Sequence, residues 1–277
     1  MSVAALDQVA SWPAPFATAG VTDAAMTIAT AGDIDRRHQW ASVTKLVTAL
    51  CVLRLCDSGA VDLDEPAGPP GSTVRHLLAH ASGLGFDAGA VTLGRPGRRR
   101  VYSNVGFDLL GAIVSTRCGL PFAEYAAAAV FAPLSMAGSA IDGTPAAGGV
   151  GPLTDLLRLG RELLAPTLVS APLMAVATAV AFPGLPGVLP GHGRFETNDW
   201  GLGFEIRDSK SPHWTGHTNA PSTFGHFGQT GSFLWVDPSR GLACAALTSV
   251  TFGPWAAVAW PMFSDAVLAE YAPPSSA

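Results

Sequence analysis

The sequence predicts a mixed α/β (α+β) fold, with an antiparallel sheet built from both chain termini and flanked by helices, plus an inserted helical domain. Three observations predict it. Strand-like segments rich in Phe, Trp, Val and Leu, or loosely alternating, lie towards both ends of the chain. Between Pro66 and Gly193 the apolar pattern is helical and punctuated by Gly and Pro. The chain has 277 residues, 48% of them from the AVILMFWYC set and 13% charged, so it can bury a large core and lies far from disordered compositions. The expected boundaries are residues 1–60 and 195–277 for the sheet domain and 61–194 for the helical domain, with the functional cleft between them.

Taken in order, residues 21–40 alternate around the turn Ala31-Gly32-Asp33, which suits a hairpin leading into Trp40. A helix follows from about Ser42 to Asp57. Its Val43, Leu46, Val47, Leu50, Leu53 and Leu55 make an apolar surface wide enough to be buried nearly all round, and Ser58-Gly59 ends it. Helices are expected at 73–80, 105–117, 121–131, 152–165 and 168–180, and strands at 200–207, 223–227, 230–237 and 241–250. The segment 254–271 closes the chain as a helix that Pro261 should kink.

The net charge of −5 argues against a nucleic-acid binder that works by neutralising phosphates, and the run Arg95, Arg98, Arg99, Arg100 is too short to reverse this. Residues 1–20 lack a basic leader and are broken by Asp7, Gln8, Pro13 and Pro15. The charge-free run Leu163–Gly193 carries five prolines. No membrane partner is therefore expected, and the chain reads as cytoplasmic. Cys51, Cys56, Cys118 and Cys244 form no C-x-x-C pair, and His76/His80 and His213/His217 lack a completing carboxylate or thiol, so neither a metal nor a cofactor is expected. Nothing in the sequence bears on oligomeric state.

Three motifs carry chemistry. In Ser42-Val43-Thr44-Lys45 a hydroxyl and an amine share one helix face. A serine needs a base to take its proton, and lysine serves only if burial lowers its pKa towards neutrality. The helix N-terminus supplies N–H groups for an oxyanion. Alone, the same residues read equally as an N-cap serine and a snorkelling lysine. In Tyr102-Ser103-Asn104 the phenol can relay protons and the amide can orient a lysine or a carbonyl. The alternative is a turn with Asn104 as N-cap and Ser103 facing the pocket or not. In Gly225-His226-Phe227-Gly228-Gln229 the glycines mark close backbone approach, expected here to be to a substrate. His226 is placed to donate to a substrate or to Tyr102, and the Gln229 N–H to be the second oxyanion donor.

In this order and spacing the three motifs resemble the serine β-lactamase and penicillin-binding-protein superfamily, in its class C β-lactamase-like branch that includes family VIII carboxylesterases. Supporting stretches are Trp40–Lys45, Leu77–Leu84, Val101–Gly106 and Gly225–Gly228, and the resemblance spans about residues 20–270. It implies Ser42 as acylated nucleophile, Lys45 as its base, Tyr102 as proton relay and Asn104 as an orienting amide. His226 and Gly228 fall on the third motif, and the N–H groups of Ser42 and Gln229 form the oxyanion hole. Two departures stand out: histidine replaces the usual lysine of the third motif, and only 121 residues separate Asn104 from His226.

The resemblance implies a cofactor-free serine hydrolase acting on a small ester or amide, with esterase ranked first. A β-lactamase, a D-amino-acid peptidase or a transacylase is the alternative within the class, and a non-catalytic binding protein the alternative outside it. Arg95 and Arg98–Arg100 read either as a solvated loop or as a guanidinium that recognises an acidic substrate. Only two lysines occur beside fourteen arginines. An always-protonated guanidinium could not replace the proposed base.

Overall fold

The computed structural model describes residues 4–87, 89 and 92–273. The alternating N-terminal segment and the aromatic C-terminal runs pair into one antiparallel sheet, as the sequence predicts. Strands β1 (Ala17–Thr22) and β2 (Thr27–Ala31) follow a short 3-10 helix at Ala5–Ser11. Strand β3 (His38–Ala41) leads into helix α1 (Thr44–Asp57). The central region holds α2 (Val74–Leu78), α3 (Asn104–Cys118), α4 (Phe122–Ala126) with a π-helical turn at Ala127–Phe131, β4 (Ala140–Ile141), β5 (Gly149–Gly151), α5 (Leu153–Leu164), α6 (Ala171–Thr178), β6 (Gly187–Leu189) and β7 (Gly193–Phe195). The chain ends with β8 (Glu205–Ile206), β9 (Phe224–Gly228), β10 (Ser232–Asp237), β11 (Leu242–Thr248) and α7 (Pro254–Tyr271).

The six-stranded sheet runs β2-β1-β11-β10-β9-β8, with β1 aligned on β11 from Ala17↔Thr248 to Thr22↔Ala243. Side chains alternate between its two faces. Leu234, Val236, Ala243, Ala245 and Leu247 join the core that contains α1 and α5. Phe233, Trp235, Cys244 and Ala246 join the second core with Trp260, Phe263 and Val267 of α7. Helix α5 thus packs on the sheet although it lies within residues 61–194. A smaller sheet, β3-β5-β4, ties the entry to α1 onto residues 140–151.

Two local expectations change. The hairpin turn lies at Asp23–Met26, where Asp23 Oδ1 accepts from the N–H of Ala25 and of Met26, each at 2.7 Å, in an Asx-type turn. Gly32 does turn the chain (φ +80°), but after β2. The expected strand 200–207 shrinks to Glu205–Ile206 because Gly203 takes φ +94° against α1, where a Cβ would lie 2.3 Å from that of Ala49. Pro261 sits inside α7 without ending it. Among the described residues no single helix is long and apolar enough to cross a membrane.

Candidate active site

Ser42 lies in the turn between β3 and α1, two residues before the first helical residue rather than within the helix. Ala41, immediately before it, adopts φ +45°, a left-handed conformation that a residue with a Cβ holds only when its surroundings impose it. Those surroundings are identifiable. Thr44 Oγ1 donates to the Ala41 carbonyl (2.5 Å) and accepts from the Gly149 N–H (2.8 Å). Ser232 Oγ donates to the carbonyl of Trp40 at 2.7 Å. Gly228 completes the support: a Cβ there would stand 2.4 Å from Trp40 O and 3.0 Å from the Ala41 Cβ. The glycine therefore serves close approach of β9 to the nucleophile's own strand.

One turn along, Lys45 is fully buried. Its Nζ lies 3.3 Å from Ser42 Oγ, 2.8 Å from Asn104 Oδ1 and 3.0 Å from the Ala146 carbonyl, above the rings of Tyr102 (4.7 Å) and Phe107 (5.5 Å). Burial lowers its pKa to about 7, opposed by the carboxylates of Asp108 and Asp87. An amine so placed is free to accept a proton near neutral pH while its own N–H bonds fix its direction.

Asn104 is the first residue of α3, and the N-cap is Ser103, whose Oγ accepts from the Gly106 N–H (3.1 Å) and donates to Gly85 O (2.6 Å). Ser103 is thus buried in capping and does not face the pocket. The Asn104 amide nitrogen donates to Asp87 Oδ1 at 3.1 Å, which turns the amide oxygen to Lys45. Asp87, Asp108 and the Ala146 carbonyl escaped sequence reasoning. Asp108, four residues after Asn104 on α3, accepts from the Ala146 N–H at 3.2 Å, and the Ala146 carbonyl then reaches Lys45. The i, i+4 spacing of Asn104 and Asp108 was the available signal.

Tyr102 is half-buried, and desolvation of its hydroxyl pushes the phenol pKa up while the adjoining Ser42 side chain opposes the rise, so the hydroxyl stays protonated. It meets His226 Nε2 at 3.4 Å. His226 Nδ1 lies 2.7 Å from the carbonyl of Phe227 and must donate to it, leaving Nε2 as acceptor from the tyrosine. Burial, aided by the charge of Lys45, lowers the histidine pKa to about 3. The imidazole is neutral, and the expectation that it donates to Tyr102 is reversed. Gln229 follows β9 and lines one cavity of about 70 Å³ together with Ser42, Phe86, Tyr102, Trp200, Glu205 and His226. Trp200, Trp214 and Trp235 all belong to the second core, and of the three only Trp200 lines this cavity.

Behind the cavity stands a second buried cluster. Glu205 Oε1 pairs with Lys210 Nζ at 2.6 Å, and Oε2 accepts from His213 Nε2 (2.9 Å) and Trp214 Nε1 (2.9 Å). Burial alone would raise the Glu205 pKa, but His213 and Lys210 hold it well below the usual range. His80 packs between Tyr102 (4.5 Å) and Trp200 (4.6 Å) and accepts from the Ser103 N–H at Nδ1. The arginine run divides. Arg100 is buried and donates to the carbonyls of Ala79, Ala181, Phe182 and Asn198, pinning the wall of the site, whereas Arg95, Arg98 and Arg99 are exposed.

Comparison with known proteins agrees with this fold. The family model for Beta-lactamase matches residues 3–268. A crystal structure of a beta-lactamase from Mycobacterium bovis is 51% identical and superposes with a TM-score of 0.95, covering 97% of this chain and 100% of that one. Esterase EstB of Burkholderia gladioli is 32% identical over 37% of this chain, and the match spans little more than a third (38%) of that relative. A D-stereospecific amidohydrolase from Streptomyces shares the fold at 19% identity, with a TM-score of 0.71 over 96% of each chain.

Proposed function

The chain belongs to the beta-lactamase family of hydrolases, and from that premise we propose that it is a serine hydrolase forming an acyl-enzyme at Ser42, with small esters as its substrates. The observation that carries this reading is the 3.3 Å contact of Ser42 Oγ with a buried lysine whose pKa is lowered to about 7. In acylation Ser42 Oγ attacks the acyl carbon as its proton passes to the neutral amine of Lys45. The carbonyl oxygen becomes an oxyanion stabilised by the N–H groups of Ser42 and Gln229. As the C–O bond to the leaving group breaks, Tyr102 gives its proton to the departing alkoxide and regains one from Lys45. Water then attacks the acyl carbon, giving up its proton through the same groups, and the acid product leaves with Ser42 restored.

The neutral His226 supports an ester over a β-lactam, because no permanent cation at the third motif faces a carboxylate beside the scissile bond. Intact-mass measurement after exposure to p-nitrophenyl acetate or a fluorophosphonate tests the proposal. An adduct on Ser42 that disappears in Ser42→Ala is expected; no adduct on the folded wild type refutes it.

A further inference from the structure

We propose that the cleft beside the catalytic cavity binds the acyl chain of the substrate, and that this chain ends in a carboxylate held by Arg99 and Arg194. The inference rests on the acyl-enzyme reading and extends it to a substrate class. The cavity at Ser42 holds about 70 Å³, room for the reacting group alone, so the remainder of an acyl group must continue elsewhere. A cleft of about 410 Å³ adjoins it across the shared side chains of Phe86, Tyr102 and Pro190, within the size range of about 300–1,000 Å³ usual for small-molecule sites.

The cleft has two kinds of wall. Leu93, Val101, Pro186 and Val188 make it apolar. Phe86, Leu93 and Val188 are 50%, 45% and 55% exposed, so three of the chain's exposed large apolar side chains gather at this one mouth. Its charged lining is entirely cationic: Arg99, Arg100 and Arg194, with no carboxylate among the described lining residues. Arg100 is committed to four backbone carbonyls. Arg99 donates to the Leu93 carbonyl. Among the described residues Arg194 meets only the exposed Glu196, at 3.7 Å, a long surface contact that an incoming carboxylate can replace. Arg99 and Arg194 line the cleft and not the catalytic cavity, so the charge they recognise lies at the far end of the chain, remote from the ester. An amphipathic acid, esterified at one end and ionised at the other, satisfies both walls.

The test compares mono-p-nitrophenyl suberate with its neutral methyl ester, using p-nitrophenyl acetate as the short reference. Wild type should favour the anionic ester by roughly tenfold in kcat/KM, the effect of one charge-assisted contact, mainly through KM, and the preference should shrink as salt rises. Arg194→Glu should reverse it and Arg99→Gln weaken it, both leaving acetate turnover unchanged. Val188→Asp should impair both long esters and spare acetate. Equal rates for the two long esters in wild type, or a preference that survives Arg194→Glu, overturns the proposal while leaving the hydrolase reading intact. If acetate is not cleaved and Ser42 takes no label, both readings fall together.

Discussion

The amine of Lys45 donates to Asn104 Oδ1 and the Ala146 carbonyl, which leaves its lone pair for Ser42, and its burial determines how activity should follow pH. Its pKa of about 7 means that the protonated, inactive amine dominates below neutrality. The acid limb of kcat/KM for p-nitrophenyl acetate should therefore fall near pH 7, since that profile reports the free enzyme. Asp108 opposes the lowering produced by burial, so Asp108→Asn should move the limb to lower pH. A limb that stays in place in this variant would dissociate the carboxylate from the amine. Lys45→Arg should abolish acylation, because a guanidinium stays protonated throughout the range. Ser42, Lys45, Tyr102 and His226 were legible in the sequence because their side chains bear the chemistry and lie in short motifs. The Ala146 carbonyl was not. A backbone acceptor has no residue signature, and this one arrives from a loop more than a hundred positions away.

At the scale of elements, glycines decide how closely the pieces of the site approach. Helix α3 passes the 144–148 loop at Gly111, where a Cβ would lie 2.2 Å from Pro145 Cγ. Gly111→Val should push that loop away, withdraw the Ala146 carbonyl from Lys45 and lower both kcat and stability. A variant with wild-type kcat and an unchanged urea midpoint would contradict this. The sequence announced Gly228 by its place in an aromatic strand, although what it approaches is the Trp40–Ala41 backbone, a tertiary contact that composition does not encode. The cluster of Glu205, Lys210 and His213 was equally hidden: spacings of five and eight residues in an irregular segment give no common face, and only the fold buries them together. Lys210→Met leaves a buried carboxylate without its cation and should cost about 3–5 kcal/mol of unfolding free energy. Glu205→Gln in the same chain should recover part of it, as urea unfolding of the single and double variants would reveal.

For the whole molecule, the buried base makes stability depend on pH in a direction opposite to that of a salt-bridged lysine. The folded state holds Lys45 with a pKa of about 7, whereas the unfolded chain returns it to the ordinary value near 10.4. Between those values the unfolded state binds more protons than the folded state, so unfolding free energy rises with pH, by at most about 1.4 kcal/mol per pH unit. Below pH 7 both states are protonated and the contribution is flat at its least favourable level; above about pH 10.4 both are neutral and it is flat at its most favourable. Lys45→Met removes the group from both states. Subtracting its stability curve from that of wild type, measured by urea unfolding from pH 6 to 10, cancels much of the titration of the remaining side chains. The difference should be level below pH 7 and climb above it. Parallel curves would mean that Lys45 is not desolvated as the packing of α1 against Tyr102 and Phe107 requires, and the proposed general base would lose its physical ground. The positioning that makes Lys45 a base thus weakens the fold at low pH, and one titration links the two effects.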